Sequence, residues 1–291
     1  GNQGASQGGS QTTSGSGSEG QGGKEGQSVE KKYPPRNGNA TKRLLIKTFG
    51  FESVTIPDTN KETLNAIYDF MMEMSKMLGI YPTSIGHGGH LGVSSLRKNA
   101  NASARHNLEY IGVDTFKSAK IQFKYDWLTG IAHEWWHSLD HALSYYETGR
   151  GINEATIVRD DKFTGRKETL EAVRNVIRAI GKSGYPDRIK SFIHSRADLN
   201  YFLSYTEMAA RAFEEYIDQK FVENNIIIEG VKNVKTRTQP TDKEMEVIAP
   251  AFDNLFKVLK EKEGKAQGTT VLYHIGEQME PQSDAKKLAT E

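Results

Sequence analysis

The apolar positions along the chain change period several times, and each change marks an element. Leu44, Leu45, Ile46 and Phe49 form a dense apolar run that predicts a strand, with a second extended piece over 51–56. Over 60–78 the period lengthens. Leu64, Ile67, Phe70, Met71, Met74 and Leu78 recur at i, i+3, i+4 spacing, the stripe of a buried helix, and Thr59 with Glu62 offers a capping-box start. Gly86, Gly88, Gly89 and Gly92 then break any helix, in a stretch that also carries His87, His90 and His106. Short strands are predicted over 91–95 and 118–125. Helices are predicted over 127–146, over 168–181 with Leu170, Val173, Val176, Ile177 and Ile180 inward, over 186–197 with Pro186 in the first turn, and over 205–221. A last helix runs from a Thr241/Glu244 cap to about 262, where Pro250 should kink or divide it. Beyond it only 270–275 reads as a strand. Helices and a few short strands, with no internal repeat, predict an α+β chain.

Composition divides the 291 residues into three parts. Residues 1–30 hold ten of the 28 glycines, five Gln, six Ser and one large aliphatic residue, Val29. Such a segment cannot bury enough apolar surface to offset its conformational entropy. Tyr33-Pro34-Pro35 and Asn37-Gly38-Asn39 continue the linker chemistry, so 1–40 reads as a disordered leader. Residues 41–263 form the folded domain, and 264–291 form a polar, mobile tail.

Charge and cysteine count exclude whole classes. The balance of 38 basic to 37 acidic residues, a net charge of +1, argues against a nucleic-acid partner, and Lys42-Arg43 and Arg97-Lys98 read as solvated surface charge. Zero Cys excludes disulfides, cysteine catalysis and thiolate metal sites. No apolar run is long enough to span a membrane. The chain begins with Gly, as a processed or excised chain does, and its first residues lack the apolar core of a signal peptide.

The chemistry concentrates in Ala132-His133-Glu134-Trp135-Trp136-His137-Ser138-Leu139-Asp140-His141. On a helix, His133 and His137 lie on one face a turn apart and can aim at one cation. Glu134, one residue along, can take a proton from a metal-activated water and pass it to a leaving amine. This is the HExxH pattern of zinc metallopeptidases. His is 8 of 291 residues; with Glu at its usual frequency, chance gives about 0.015 matches in such a chain. Two histidines leave a zinc site incomplete, and without Cys the third ligand is His or a carboxylate. His141 continues the same helix face but sits a turn too far along, which makes it a neighbour of the site rather than a ligand. Glu207, in Tyr205-Thr206-Glu207-Met208-Ala209-Ala210-Arg211-Ala212-Phe213-Glu214, is the chosen third ligand, because Ala209 and Ala210 allow another helix to approach closely. Glu214, two turns along, can then orient a ligating imidazole through its other N–H. The competing reading is a solvated helix face with a Glu207–Arg211 pair at i, i+4.

These runs carry a family resemblance. Over roughly 48–262 the chain resembles the zincin-like metallopeptidase domain of large polyvalent proteins from bacteriophages and mobile elements. More distantly it is similar to the catalytic domain of anthrax lethal factor. The likeness rests on Phe49-Gly50-Phe51, on the 64–69 segment, on Gly89-His90-Leu91-Gly92-Val93, on Ala104-Arg105-His106, on the 132–140 and 206–214 runs, and on Pro250-Ala251-Phe252-Asp253. It implies a mostly helical domain with a small mixed sheet, a glutamate ligand at Glu207, and an Asp140 that contacts a ligand or fixes the helix end. It implies a setting of phage or mobile-element proteins, in a bacterial host's cytoplasm or on the virion. Lethal-factor relatives carry a catalytic Tyr seven residues before the glutamate ligand, and that position here is Asn200. Tyr201 or Tyr205 can supply the phenol to an oxyanion instead. After Gly92 the family's glycine-rich stretch gives way to Ser94-Ser95-Leu96-Arg97-Lys98.

The expected activity is therefore zinc-dependent endopeptidase action on a polypeptide substrate, with the strand over 118–125 offering its edge to an extended peptide. The alternative is a catalytically weak or inactive zincin scaffold acting as a structural or interaction protein.

Overall fold

The structure, a computed structural model, describes residues 33–95, 104–111, 115–123, 130–148, 155–156, 167–229, 236–261, 263–266 and 269–272. All fall within one compact unit, Tyr33–Glu291. Most of the expected leader (1–32), the tail beyond 272, the expected helix start at Trp127 and the Arg97-Lys98 pair lie outside the described residues. The described helices are α1 (Lys42–Phe49), α2 (Lys61–Leu78), α3 (Gly130–Thr148), α4 (Lys167–Lys182), α5 (Tyr185–Phe192), α6 (Arg196–Phe202), α7 (Tyr205–Glu223) and α8 (Asp242–Lys260). The strands are β1 (Ser53–Val54), β2 (Leu91–Ser95), β3 (Ala104–Ile111), β4 (Thr115–Phe123), β5 (Gly264–Ala266) and β6 (Thr269–Val271). The chain is α+β and mostly helical, with a small mixed sheet.

That sheet has four strands in the order β1-β2-β4-β3. β2 pairs parallel with both β1 and β4, and β3 closes the far side antiparallel. In β4, buried Ala119, Ile121 and Phe123 alternate with the half-buried Lys120 and Gln122, the period of a strand with one face on a core. α3 packs on β4 and β3 and also meets α7; α7 in turn touches α4 and α8. The HExxH helix is thus held between sheet and helices.

Several local expectations are corrected. The run at 44–49 is a helix, not a strand. Thr41 accepts a hydrogen bond from Leu44 N, Gly50 caps the end at φ 69°, and only Leu45 and Phe49, four apart, are buried. The α2 cap is Asn60 rather than Thr59, accepting from Thr63 N. The helix from Pro186 stops at Phe192, because Ser195 accepts from Asp198 N and starts α6 instead. Pro250 does not divide α8: Met245, Ile248, Phe252, Leu255 and Phe256 keep a buried stripe on both sides of it. β3 carries Arg105, His106, Asn107 and Glu109, the polar pattern of an edge strand, which hides it from a search for apolar alternation. Because β3 and β2 flank β4, β4 has no free edge for a peptide, and that role cannot be its own.

Residues 33–40 pack on α2. Arg36 donates to Asp69 at 2.8 Å, Tyr68 Oη donates to Pro34 O at 3.0 Å, and Ala40 is buried. β5 and β6 pair antiparallel, and Leu272 is buried just after them. Gly86, in the 3₁₀ turn Pro82–Gly86, tolerates no side chain: a Cβ there would lie 2.1 Å from Gly50 O.

α8 is fastened at its start. The Thr241/Glu244 capping box is complete. Glu244 also accepts from Arg188 Nε and Nη2 at 2.8 and 2.9 Å, while Arg188 reaches the carbonyls of Arg237 and Gln239. Burial works to raise the Glu244 pKa, but the Arg188 guanidinium and the Thr241 N–H hold it below the usual carboxylate range. A depressed folded pKa contributes stability above the unfolded value and loses it as pH falls through the folded one. Glu244→Gln should therefore lower stability by about 1–2 kcal/mol at neutral pH and flatten the acid side of the Tm–pH curve. Unchanged melting curves at both pH values would contradict this.

Candidate metal centre

The placement of three side chains follows from how α3 and α7 pack. On α3, Trp135 and Trp136 are fully buried. Trp136 meets Phe213 of α7 and Phe252 of α8, both at ring centroids 5.2 Å away. Trp135 lies 5.6 Å from Phe213 and donates its indole N–H to Ile85 O at 3.0 Å. Ala209 and Ala210 on α7 are fully buried and add no bulk that would separate the helices. With the tryptophans fixed, His133 and His137, one turn apart on α3, come together with ring centroids 5.0 Å apart and nearly perpendicular.

Glu207 enters from the first turn of α7, where Ser204 accepts from its backbone N–H. Its Oε2 lies 3.6 Å from His133 Nε2 and 3.7 Å from His137 Nε2. The three ligating atoms all fall within 4.8 Å of one another. Ligands at about 2.0–2.1 Å from a tetrahedral ion stand roughly 3.3 Å apart, close to the two separations between Glu207 and the histidines. Glu214 Oε2 lies 3.5 Å from His133 Nδ1, on the side of the ring away from Glu207. The structure therefore brings His133, His137, Glu207 and Glu214 together, with Glu134 at their side.

The electrostatics suit a cation. Glu134, Glu207 and Glu214 are all buried around the histidines, and Arg211 is the fixed positive charge on Glu207. Burial pushes the Glu134 carboxyl up to about 7; the His133 charge opposes that, and the Glu207 and Glu214 charges add to it. For His133, burial favours the neutral ring, yet the contacts with Glu207 and Glu214 raise its pKa to about 9. Glu207 stays ionised: burial opposes its charge, but His133, His137 and Arg211 hold its pKa far below the usual range. Two neutral imidazoles and one carboxylate form a donor set that fits zinc.

The remaining predicted residues occupy different places. Tyr201, on α6 and 51% exposed, reaches the Glu207 carboxylate and Arg211; burial, then the Glu207 charge, pushes its phenol up to about 12. Tyr205, 55% exposed, opens α7. Asp140 is buried within α3 rather than at its end. It accepts from Thr156 N at 2.9 Å and Thr156 Oγ1 at 2.7 Å, so it fastens the 155–156 turn to the helix. His141 is buried on α3 one turn beyond His137 and is not among the clustered ligand atoms. Of the glycine-segment histidines, His87 is buried and stacks on Trp135, and His90 Nδ1 donates to Lys117 O. The side chain of His106 lies outside the described residues.

The Glu207–Arg211 pair exists, with Nε 2.7 Å from Oε1, but it is buried rather than solvated, and it coexists with the histidine contacts. Sequence spacing showed the pair. Nothing in the sequence indicated that Arg211 also donates to Thr238 at 2.9 Å.

If His133 must lose a proton to become a ligand, affinity for Zn(II) should rise with pH through the range below about 9. Calorimetric titration at neutral pH in two buffers of different ionisation enthalpy should register release of about one proton. Proton-free uptake would contradict the assignment.

A family model described as "Large polyvalent protein-associated domain 1" matches residues 193–263. The match covers α6, α7 and α8, and so Tyr201, Glu207, Arg211 and Glu214, while the HExxH helix lies before it. It links the chain to the large polyvalent proteins of phages and mobile elements. No curated protein and no solved structure matches the chain significantly. Among the described residues no helix is long and apolar enough to cross a membrane.

Proposed function

We propose that this chain is a zinc-dependent endopeptidase with a zincin-like domain, acting in a phage or mobile-element setting, in the host cytoplasm or on the virion. The observation that carries the reading is the convergence of His133, His137 and Glu207 from two separate helices within 4.8 Å. His133 Nε2, His137 Nε2 and Glu207 Oε2 would hold the ion. When bound, zinc supplies Lewis acidity toward a water and the scissile carbonyl.

The protein side chains do the rest. Glu134, next to His133 and with its carboxyl raised to about 7, accepts a proton from the attacking water. As that proton leaves, the water oxygen forms the new C–O bond; Glu134 then returns the proton to the amine nitrogen, and the C–N bond breaks to give a carboxylate and a free amine. Glu214 holds His133 through Nδ1, which keeps Nε2 as the free donor atom. Tyr201, facing Glu207 from α6, is the phenol best placed to hydrogen-bond the developing oxyanion, whereas Tyr205 points from the start of α7.

Glu134→Gln should retain near-stoichiometric zinc and lose about 10²–10⁴-fold in peptide cleavage. His133→Ala should lose both. Wild-type protein that lacks zinc by metal analysis, or cleavage that survives Glu134→Gln, would reject the reading; zinc without turnover of any peptide pool would favour the inactive scaffold. In the same assay, Tyr201→Phe should lower kcat by about 10²-fold with little change in KM, and Tyr205→Phe should leave both near wild type. The reverse pattern would move the role to Tyr205.

A further inference from the structure

Arg211 has no part in the reaction as described above, yet it sits against the carboxylate that completes the site. Its Nε lies 2.7 Å from Glu207 Oε1, while Glu207 Oε2 faces both histidines. The contact is a close ion pair rather than an in-line hydrogen bond, and both atoms are buried. The arginine is itself held from three directions. Its Nη1 donates to Thr238 Oγ1 at 2.9 Å, its guanidinium lies 4.7 Å from the centroid of Phe202, and the Tyr201 phenol reaches it. Thr238 is fixed in turn: its hydroxyl meets Thr236 Oγ1 at 2.7 Å, and its carbonyl accepts from Tyr185 Oη.

We infer that Arg211 is a positioning residue that engages one oxygen of Glu207 and leaves the other as a single-oxygen ligand. This rests on the metallopeptidase reading of the site. The physical argument concerns coordination number. A carboxylate free to rotate can bind a cation through both oxygens, which fills a position that a catalytic zinc site must keep open. A guanidinium fixed on Oε1 prevents that rotation and offsets the buried charge while the histidines approach Oε2. The loop at 236–239 sets the arginine's position, so the ligand geometry on α7 is controlled by a segment 27 residues away in sequence.

The test uses the intact chain. Arg211→Met keeps a stem of similar length against Phe202 and removes the charge, Arg211→Lys restores charge without the planar fork, and Thr238→Val removes one hydrogen bond to the arginine. Two quantities are read: zinc affinity by competition with a chromophoric chelator, and the visible d–d absorption of the Co(II)-loaded protein. Wild type should give the intense bands of four-coordinate cobalt. Arg211→Met should bind zinc about 10–100-fold more weakly, with weakened cobalt bands as the second oxygen of Glu207 joins. Arg211→Lys should recover most of the affinity, and Thr238→Val should shift both readouts in the same direction by less. Thermal melts of the ion-free variants separate loss of fold from loss of positioning.

If Arg211→Met binds zinc within about twofold of wild type and leaves the cobalt spectrum unchanged, the inference is overturned while the metal site stands. If wild type takes up neither ion, the metallopeptidase reading itself fails, and the inference with it.

Discussion

The contact between α3 and α7 carries the rest of the structure. It is built from large aromatic surfaces, Trp135 and Trp136 on one helix and Phe213 on the other, with Phe252 and Phe256 closing the layer from α8. Each such ring buries about 150–250 Å² and has few rotatable bonds, so the layer is both strong and stiff. The tryptophans are also the two residues between Glu134 and His137 in the HExxH pattern. Burying them fixes the rotation of the helix that carries His133 and His137. Apolar packing between the two helices thereby fixes the polar geometry that the same pair of helices presents.

That geometry is costly without compensation. Three carboxylates stand in a buried volume beside two imidazoles. Desolvation of each favours its neutral form. The protein answers with one guanidinium and with proton uptake, seen in the upward displacement of both Glu134 and His133. A cluster in which Glu134 and His133 hold protons more tightly than usual, while Glu207 stays ionised, is one where extra positive charge lowers the free energy. The histidine–carboxylate contacts are thus buried ion pairs in a site short of positive charge.

How much of this was legible in the residues varied with the range of the interaction. The helices over 61–78, 167–182 and 205–223 follow from i, i+3, i+4 apolar spacing, because their buried faces are continuous. The His133/His137 pairing needed only helical period, and the small Ala209 and Ala210 marked where another helix can approach the Glu207 helix closely. The helix at 42–49 was misread because four apolar residues in six look like a strand unless burial of only Leu45 and Phe49 is known. β3 was missed because an edge strand need not alternate. The hold of Thr238 on Arg211 and that of Thr156 on Asp140 are tertiary, joining hydroxyls to charged groups across loops, and no local spacing encodes them.

The crowded turn at Gly86 has a consequence well away from its own position. Ile85 O, which receives the Trp135 indole, is the residue immediately before it. Any branch at 86 would collide with the chain at 50 and force the turn to back off, dragging that acceptor from the indole. The indole N–H of Trp135 would then lose its acceptor, and with it a constraint on the rotation of the helix. A lesion in a segment that carries none of the clustered histidine and carboxylate atoms would thus act on the helix that positions His133 and His137.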